Sequence, residues 1–254
     1  MLIDERKNQI LMLVKEKRYV SVNDLCKLVY ASSATIRRDL AFLSNAGLIQ
    51  RVRGGASVLG NSTGETAAIV RAQANIFEKK RIANAAFRFL HNGQSYFFDG
   101  STTVGELVPL LSKLQDITVI TNGCENAVRL ADIATCQSYI AGGKISLKSA
   151  SSTGSDTLSS LENFSCDATF FSCRGFSLTA GPSEGTIEQQ RAKAAMLRHS
   201  TKHVLLVDHT KFDQTYVGSV CSLAAINILI TDEKPREEYT KFFERNGIQL
   251  IVAE

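Results

Sequence analysis

No stretch of the 254-residue sequence comes near the roughly 18 to 20 consecutive apolar residues that a membrane span needs; pieces such as 96–98 and 204–207 are a few residues each. A membrane-spanning helix is therefore excluded, no membrane partner is expected, and the composition is that of a soluble protein. Proline is scarce at three residues and glycine ordinary at 17, which rules out collagen-like and low-complexity architectures, and no internal repeat is found. The six cysteines (Cys26, Cys124, Cys136, Cys166, Cys173, Cys221) include no C-x-x-C pair. They read as reduced thiols of a cytoplasmic protein, without disulfide staples or a zinc site. Met1 to Arg6 reaches Asp4 and Glu5 at once, so a secretory or mitochondrial signal is not expected there. Also missing are a G-x-x-x-x-G-K-[ST] loop and a G-x-G-x-x-G after the first strand of the larger part, which removes the common nucleotide chemistries. His91, His199, His203 and His209 lack metal-ligand spacing, and neither a metal nor a cofactor is expected.

What is present suits a packed globular protein of one large or two unequal domains, with 44% hydrophobic and 21% charged residues. The net charge of +4 is unevenly spread: residues 1–60 hold ten Lys/Arg against five acids, a balance of +5, which leaves −1 for the remainder. A small basic head on a neutral body points to a head that meets a polyanion.

Ile10, Leu11, Leu13 and Val14 recur at helical spacing within 4–17, and the early acids suit the positive end of a helix dipole. Ser21 with Asp24 three positions on is a helix start, and that second helix is expected to stop near Tyr30. Ser32 or Ser33 then caps a third helix, whose Ile36, Leu40 and Leu43 form one buried stripe and which ends at Gly47. With that stripe inward, Ser32, Ser33, Thr35, Arg37 and Arg38 project near the helix N-terminus, where a recognition helix meets DNA. Arginine there can pair with guanine or with phosphate. The following 48–56 alternates, with Gln50, Arg51 and Arg53 polar before Gly54 and Gly55, and reads as a basic β-wing.

The string Ser33-Ala34-Thr35-Ile36-Arg37-Arg38-Asp39-Leu40, then Leu43, Gly47 and Arg51-Val52-Arg53-Gly54-Gly55-Ala56, resembles the winged helix-turn-helix of the DeoR family of bacterial transcriptional regulators. Arg53 departs from the family, which usually has histidine before the two glycines; a cation is retained. The resemblance implies double-stranded operator DNA as a partner.

Residues 60–64 read as a hinge, giving a DNA-binding domain over 1–58, a linker and linking helix over 59–76, and a third region over 77–254. The pattern is helical over 65–90. Thereafter strands expected at 96–98, 117–121, 138–141, 168–172, 203–207, 227–231 and 249–252 alternate with helical stretches, which predicts an α/β domain with a mostly parallel sheet. Ligands of such sheets lie beyond the strand carboxyl ends. Those ends carry Asp99, Gly100, Ser101, Thr102 and Thr103; Thr121 and Asn122; Gly142, Gly143 and Lys144; and Asp208 with Lys211. Glycines, hydroxyls and two lysines at successive strand ends point to a small anionic ligand, although serine and threonine are also ordinary helix caps.

These segments, with Gly154 and Glu188 beside Lys193, fall in the order of the DeoR-family C-terminal sensor domain, so the resemblance covers essentially the whole chain. It implies a fold similar to ribose-5-phosphate isomerase and glucosamine-6-phosphate deaminase and an effector that is a phosphorylated sugar or related metabolite. On that analogy Ser101, Thr102, Thr103 and Lys211 hold the phosphate, with Asp99, Asn122, Lys144, Glu188 and Lys193 near the sugar hydroxyls. The resulting expectation is a repressor of a carbohydrate-metabolism operon acting as a homo-oligomer, dimer or tetramer, because one small head supplies neither the affinity nor the half-site symmetry of an operator. The rival is a sugar-phosphate isomerase or deaminase carrying a DNA-binding head. Against it, Ser172-Cys173-Arg174-Gly175-Phe176 stands where the isomerase carries paired acids, 177–184 contains no lysine, and Glu188 has no visible partner as a base. The chain is therefore expected not to be an enzyme, and Arg174 to form a salt bridge.

Overall fold

The computed structural model describes residues 3–45, 48–52, 54–57 and 68–254; the expected helix end at Gly47, the wing residue Arg53 and the expected hinge at 60–64 lie outside them. The chain divides between Val70 and Arg71 into two compact units.

In the first, α1 (Ile3–Lys17), β1 (Tyr19–Ser21), α2 (Val22–Val29), α3 (Ser33–Asn45), β2 (Gln50–Val52) and β3 (Gly55–Ser57) follow in order. Ser21 caps α2: its Oγ accepts the Asp24 N–H at 3.1 Å and its hydroxyl donates to the Asp24 carboxylate at 2.7 Å. The helix ends at Tyr30 in left-handed conformation, φ 52°. Of the two serines before α3, Ser32 is the one whose Oγ accepts the Thr35 N–H, at 3.2 Å. Ile36, Leu40 and Leu43 are buried against Ile10, Leu11 and Val14 of α1 and Leu25 and Val29 of α2. The strands form an antiparallel sheet in the order β1-β3-β2. A side chain at Gly55 would run into the Val20 carbonyl, so glycine lets β3 lie against β1. Three-residue β1 escapes periodicity because its partner lies more than thirty residues on.

Helix α4 (Ala68–Gln73) spans the division, and the second unit continues with α5 (Ile76–Ala86), β4 (Ser95–Phe98), α6 (Thr102–Gly105), β5 (Ile117–Thr121), α7 (Cys124–Ala131), β6 (Cys136–Ile140), β7 (Lys144–Ser146) and β8 (Ser151–Thr153). Then come α8 (Ser155–Glu162), β9 (Cys166–Phe171), β10 (Gly175–Ser177), β11 (Gly181–Glu184), α9 (Ile187–Arg198), β12 (Ser200–Leu206), β13 (Gly218–Ser219), β14 (Ile228–Thr231), α10 (Glu237–Arg245) and β15 (Gln249–Val252). The seven expected strands are the seven of one parallel sheet, ordered β15-β14-β12-β9-β4-β5-β6. Alternation sends Tyr96 and Phe98 to one face, with Ile82, Ala83 and Ala86 of α5, and Phe97 to the other, with Ala192, Ala195 and Met196 of α9. The helical pattern over 65–90 is broken between α4 and α5, where Asn75 takes φ 53° and its side chain bonds elsewhere. The β7–β8 hairpin and the small β10-β11-β13 sheet were not foreseen; each strand is too short to show a period.

Strand order runs outward from β4 through β5 to β6 on one side and from β9 through β12 and β14 to β15 on the other. The reversal lies between β4 and β9, and the carboxyl ends there form the crevice where such sheets take ligands. All six cysteines are free, and burial pushes the thiols of Cys136 up to about 11 and of Cys166, Cys173 and Cys221 up to about 12. Among the described residues no helix is long and apolar enough to cross a membrane.

Candidate functional site

On α3 the T-I-R-R-D-L string splits by face. Arg37 and Arg38 are exposed beside Ser32 and Ser33, Thr35 is half-buried with its hydroxyl 2.9 Å from that of Ser32, and Arg51 is exposed on β2. Asp39 turns inward, where Arg6 of α1 grips it with Nε at 2.7 Å and Nη2 at 3.4 Å. That bidentate pair fixes α1 to α3 and leaves the two arginines before it outward.

At the sheet reversal the Asp99 carboxylate is fully buried and fully engaged. Its Oδ1 accepts the Ser101 N–H at 3.0 Å, and its Oδ2 accepts the Ser172 N–H at 3.1 Å and lies 2.7 Å from Lys193 Nζ. Lys193 reaches in from α9, donating also to Glu184 Oε1 and to the Ser172 carbonyl, both at 2.6 Å. Burial alone would lower the Lys193 pKa; Asp99 and Glu184 outweigh it and hold the ammonium charged, its pKa raised. Behind this triad, Asn122 accepts the Gly100 N–H at 2.9 Å and donates to the Ser152 carbonyl at 3.0 Å, while Thr121 Oγ1 accepts the Gly123 N–H at 3.0 Å. Gly100 and Gly123 touch, a side chain on Gly123 coming within 2.7 Å of the Gly100 Cα, so the ends of β4 and β5 meet without side chains.

A second charged group lies at the ends of β9 and β12. Lys211 Nζ donates to Ser172 Oγ at 2.8 Å and stands 3.4 Å from Asp208 Oδ2. Asp208 is buried, which works against its charge, but Lys211, the Thr210 hydroxyl and Lys79 keep its pKa below the usual carboxylate value. Lys79 of α5 is buried here too, and burial together with Lys211 lowers it to about 8. Ser172 joins the two groups, its N–H on Asp99 and its Oγ under Lys211.

The predicted residues thus separate. Asp99, Gly100, Ser101, Asn122, Lys193, Asp208 and Lys211 are brought into one polar network with Ser172. Ser101 caps α6 by accepting the Val104 N–H at 3.2 Å, Thr102 donates to the Arg71 carbonyl at 3.3 Å, and the buried Thr103 hydroxyl has no hydrogen-bond partner among the described residues. Gly142, Gly143 and Lys144 are exposed where β6 gives way to the β7–β8 hairpin. Glu188 is exposed in the first turn of α9, and the carboxylate that meets Lys193 is instead Glu184 of β11, which sequence reasoning missed. Five residues separate Glu188 from Lys193, which places them about 140° apart around a helix. Lys79 was missed as well; only its place in an otherwise apolar helix face marks it. The Arg174 guanidinium lies 5.6 Å from the centre of the Tyr216 ring. His209, which shows no metal spacing in sequence, is brought to the end of β14, where its Nδ1 lies 2.6 Å from Asp232 Oδ2 and 3.7 Å from Glu233 Oε1. Asp232 also accepts the His209 N–H at 2.7 Å and raises the imidazole pKa, so the pair fastens the β12 loop to β14.

Comparison with known proteins agrees with this architecture. Residues 6–61 match the model of the DeoR-like helix-turn-helix domain and residues 74–233 that of the DeoR C-terminal sensor domain. The chain is 31% identical to the HTH-type transcriptional regulator GolR of Listeria innocua, over 98% of each chain. It is 30% identical to the HTH-type transcriptional repressor GlcR of Bacillus subtilis, over 99% of this chain and 96% of that one. It is 29% identical to the glycerol-3-phosphate regulon repressor of Escherichia coli, over 98% of each. Ribose-5-phosphate isomerase A of Methanocaldococcus jannaschii aligns at 14% identity and TM-score 0.41 over 55% of each chain, too slight a likeness to build on. With a winged helix whose arginines face outward, a parallel sheet whose reversal gathers a charged network, and both family models matched in order, the chain belongs to the DeoR family of transcriptional regulators.

Proposed function

We propose that this regulator represses a carbohydrate-metabolism operon as a homo-oligomer and that a phosphorylated sugar binding at the sheet reversal controls its hold on operator DNA. In this reading Ser32, Ser33, Thr35, Arg37, Arg38, Arg51 and Arg53 meet the duplex from the 1–58 head. Lys211, Ser101, Thr102 and Thr103 receive the phosphate, and Asp99, Asn122 and Lys193 orient what it carries. The observation that carries the reading is Lys211: a cation still partly open to solvent, held over Ser172 at the point where the strand order reverses. Relatives named as repressors of the aga operon and of the glycerol-3-phosphate regulon support a sugar-related effector. A regulator is favoured over an isomerase because each buried carboxylate of the network, Asp99, Glu184 and Asp208, already accepts from an ammonium, leaving no base poised over a substrate carbon.

The test is thermal unfolding of the full chain against pentose, hexose and amino-sugar phosphates, each beside its unphosphorylated parent. Ligand at a hundred times its Kd adds roughly 2.7 kcal/mol to the native state and raises the midpoint by several degrees. A phosphorylated compound that stabilises, with a silent parent and no turnover, is the expected result; equal effects of ester and parent would remove the phosphate from the reading.

A further inference from the structure

The two edges of the seven-stranded sheet are finished differently. At one edge β15 keeps Ile251 buried, its end is tied by the Ala253 N–H to the Thr231 carbonyl and by Arg81 of α5 to the Ala253 carbonyl, and the acidic Glu254 follows. The other edge, β6, has no such cover. Gln137, Ser138, Tyr139 and Ile140 are exposed in succession, so the strand is open on both faces of the pleat. The Tyr139 ring packs on Phe164, 5.3 Å between centres, and is still 46% exposed. Val128 of α7, Ile140, Ile145 of β7 and Leu147 in the hairpin turn are exposed beside it in sequence, Leu147 at 95%. More than half of the large apolar residues exposed in the described part of the second unit fall within 128–147.

The backbone of β6 is open as well. The Ala141 N–H bonds the Thr121 carbonyl at 2.8 Å, so alternation turns the backbone groups of Gln137 and Tyr139 to β5 and those of Ser138 and Ile140 outward, where no hydrogen bond among the described residues meets them. An apolar strand with free N–H and C=O groups is a template for another strand, and soluble proteins blunt such edges with lysine, proline or a bulge. Here the run from Ile133 to Gly143 holds neither a charge nor a proline.

We infer that this open edge is an interface between two copies of the chain, β6 pairing antiparallel with β6 of a second copy across a two-fold axis. The inference rests on the homo-oligomer of the proposed function and gives it a surface. Two features select a second copy as the occupant. A two-fold axis sets the outward groups of Ser138 and Ile140 against the same groups of the other strand, so each edge satisfies its equal. The charges at the two ends are also opposite: Asp132 precedes the strand and Lys144 and Lys148 follow it, and antiparallel pairing carries the acidic end of one copy to the basic end of the other while uncharged run meets uncharged run. Tyr139 and Ile140 then meet their counterparts on opposite faces, and the two seven-stranded sheets become one continuous sheet.

The experiment is sedimentation equilibrium of the full chain without DNA, for wild type, Ile140→Lys, Leu147→Lys and Val252→Lys, with amide hydrogen exchange of wild type followed on dilution. Val252 is the exposed apolar residue of the opposite edge and serves as the control. Thermal melting establishes that each variant is folded, and Leu147, almost wholly in solvent, can be replaced without disturbing the core. The expected result is that wild type self-associates, that Ile140→Lys and Leu147→Lys each weaken association roughly tenfold or more while Val252→Lys stays within twofold, and that exchange over 137–140 speeds up as wild type is diluted into monomers. Folded Ile140→Lys and Leu147→Lys that associate like wild type, or association lost in Val252→Lys alone, overturn the inference and leave the homo-oligomer standing. A wild type that is monomeric at every concentration overturns both.

Discussion

Burial lowers the Lys79 pKa to about 8, and the sign of its effect on stability follows from linkage. Its folded pKa, about 8, lies below the ordinary 10.5, so between these values the unfolded chain holds more protons and stability rises with pH. The charges that act on it are Lys211 and Arg71, which lower it, and Asp208 and Glu106, which raise it. The difference in unfolding free energy between wild type and Lys79→Met should therefore be flat below about pH 8 and grow in favour of wild type up to about 10.5; denaturant titrations across the range measure it. Lys193 makes the opposite case, a cation whose removal strands Asp99 and Glu184. Lys193→Met should cost about 3–5 kcal/mol by chemical denaturation, and Asp99→Asn in the same chain should recover part of that. Loss below about 1 kcal/mol would show that the triad does not depend on its ammonium. Asp99, Lys193, Asp208 and Lys211 were legible because each stands at a strand end or in a family motif. Glu184 was not, because β11 pairs with β10 across a hairpin and with β13 more than thirty residues on, neither of which a local pattern announces.

At the scale of elements, α3 carries two tasks on two faces. Because Asp39 is spent on Arg6 and Ile36, Leu40 and Leu43 on the core, Arg37 and Arg38 are left for a ligand outside the fold. Arg37→Ala or Arg38→Ala should weaken operator binding by about 1–3 kcal/mol in a fluorescence anisotropy titration, with melting temperature and effector affinity unchanged. Operator affinity preserved in both variants would remove α3 from the DNA. Periodicity read these helices well, since each has a buried stripe and α2 and α3 each start from a serine cap. It read the seven sheet strands equally well, from runs such as Tyr96 to Phe98 that are buried on both faces. It failed where tertiary bonds decide: the break at Asn75 answers to Asp208, more than a hundred residues on.

For the whole molecule, the proposed reading couples effector and operator only as strongly as effector distinguishes the operator-binding state from the released one, and operator must weaken effector by the same factor. A titration of effector with and without a saturating operator duplex should give one coupling factor from either side; unequal factors would mean a state missing from the scheme.

The charged network at the sheet reversal is drawn from Asp99, Ser172, Glu184, Lys193 and Lys211, so it exists only once β4, β9 and β12 have come together. The winged helix needs nothing beyond its own few dozen residues. Contacts of such different sequence separation form at different speeds, short loops closing first. A newly made copy therefore completes its arginine-bearing head before the strand ends proposed to sense the effector have met, and for that interval one half of the proposed switch exists without the other.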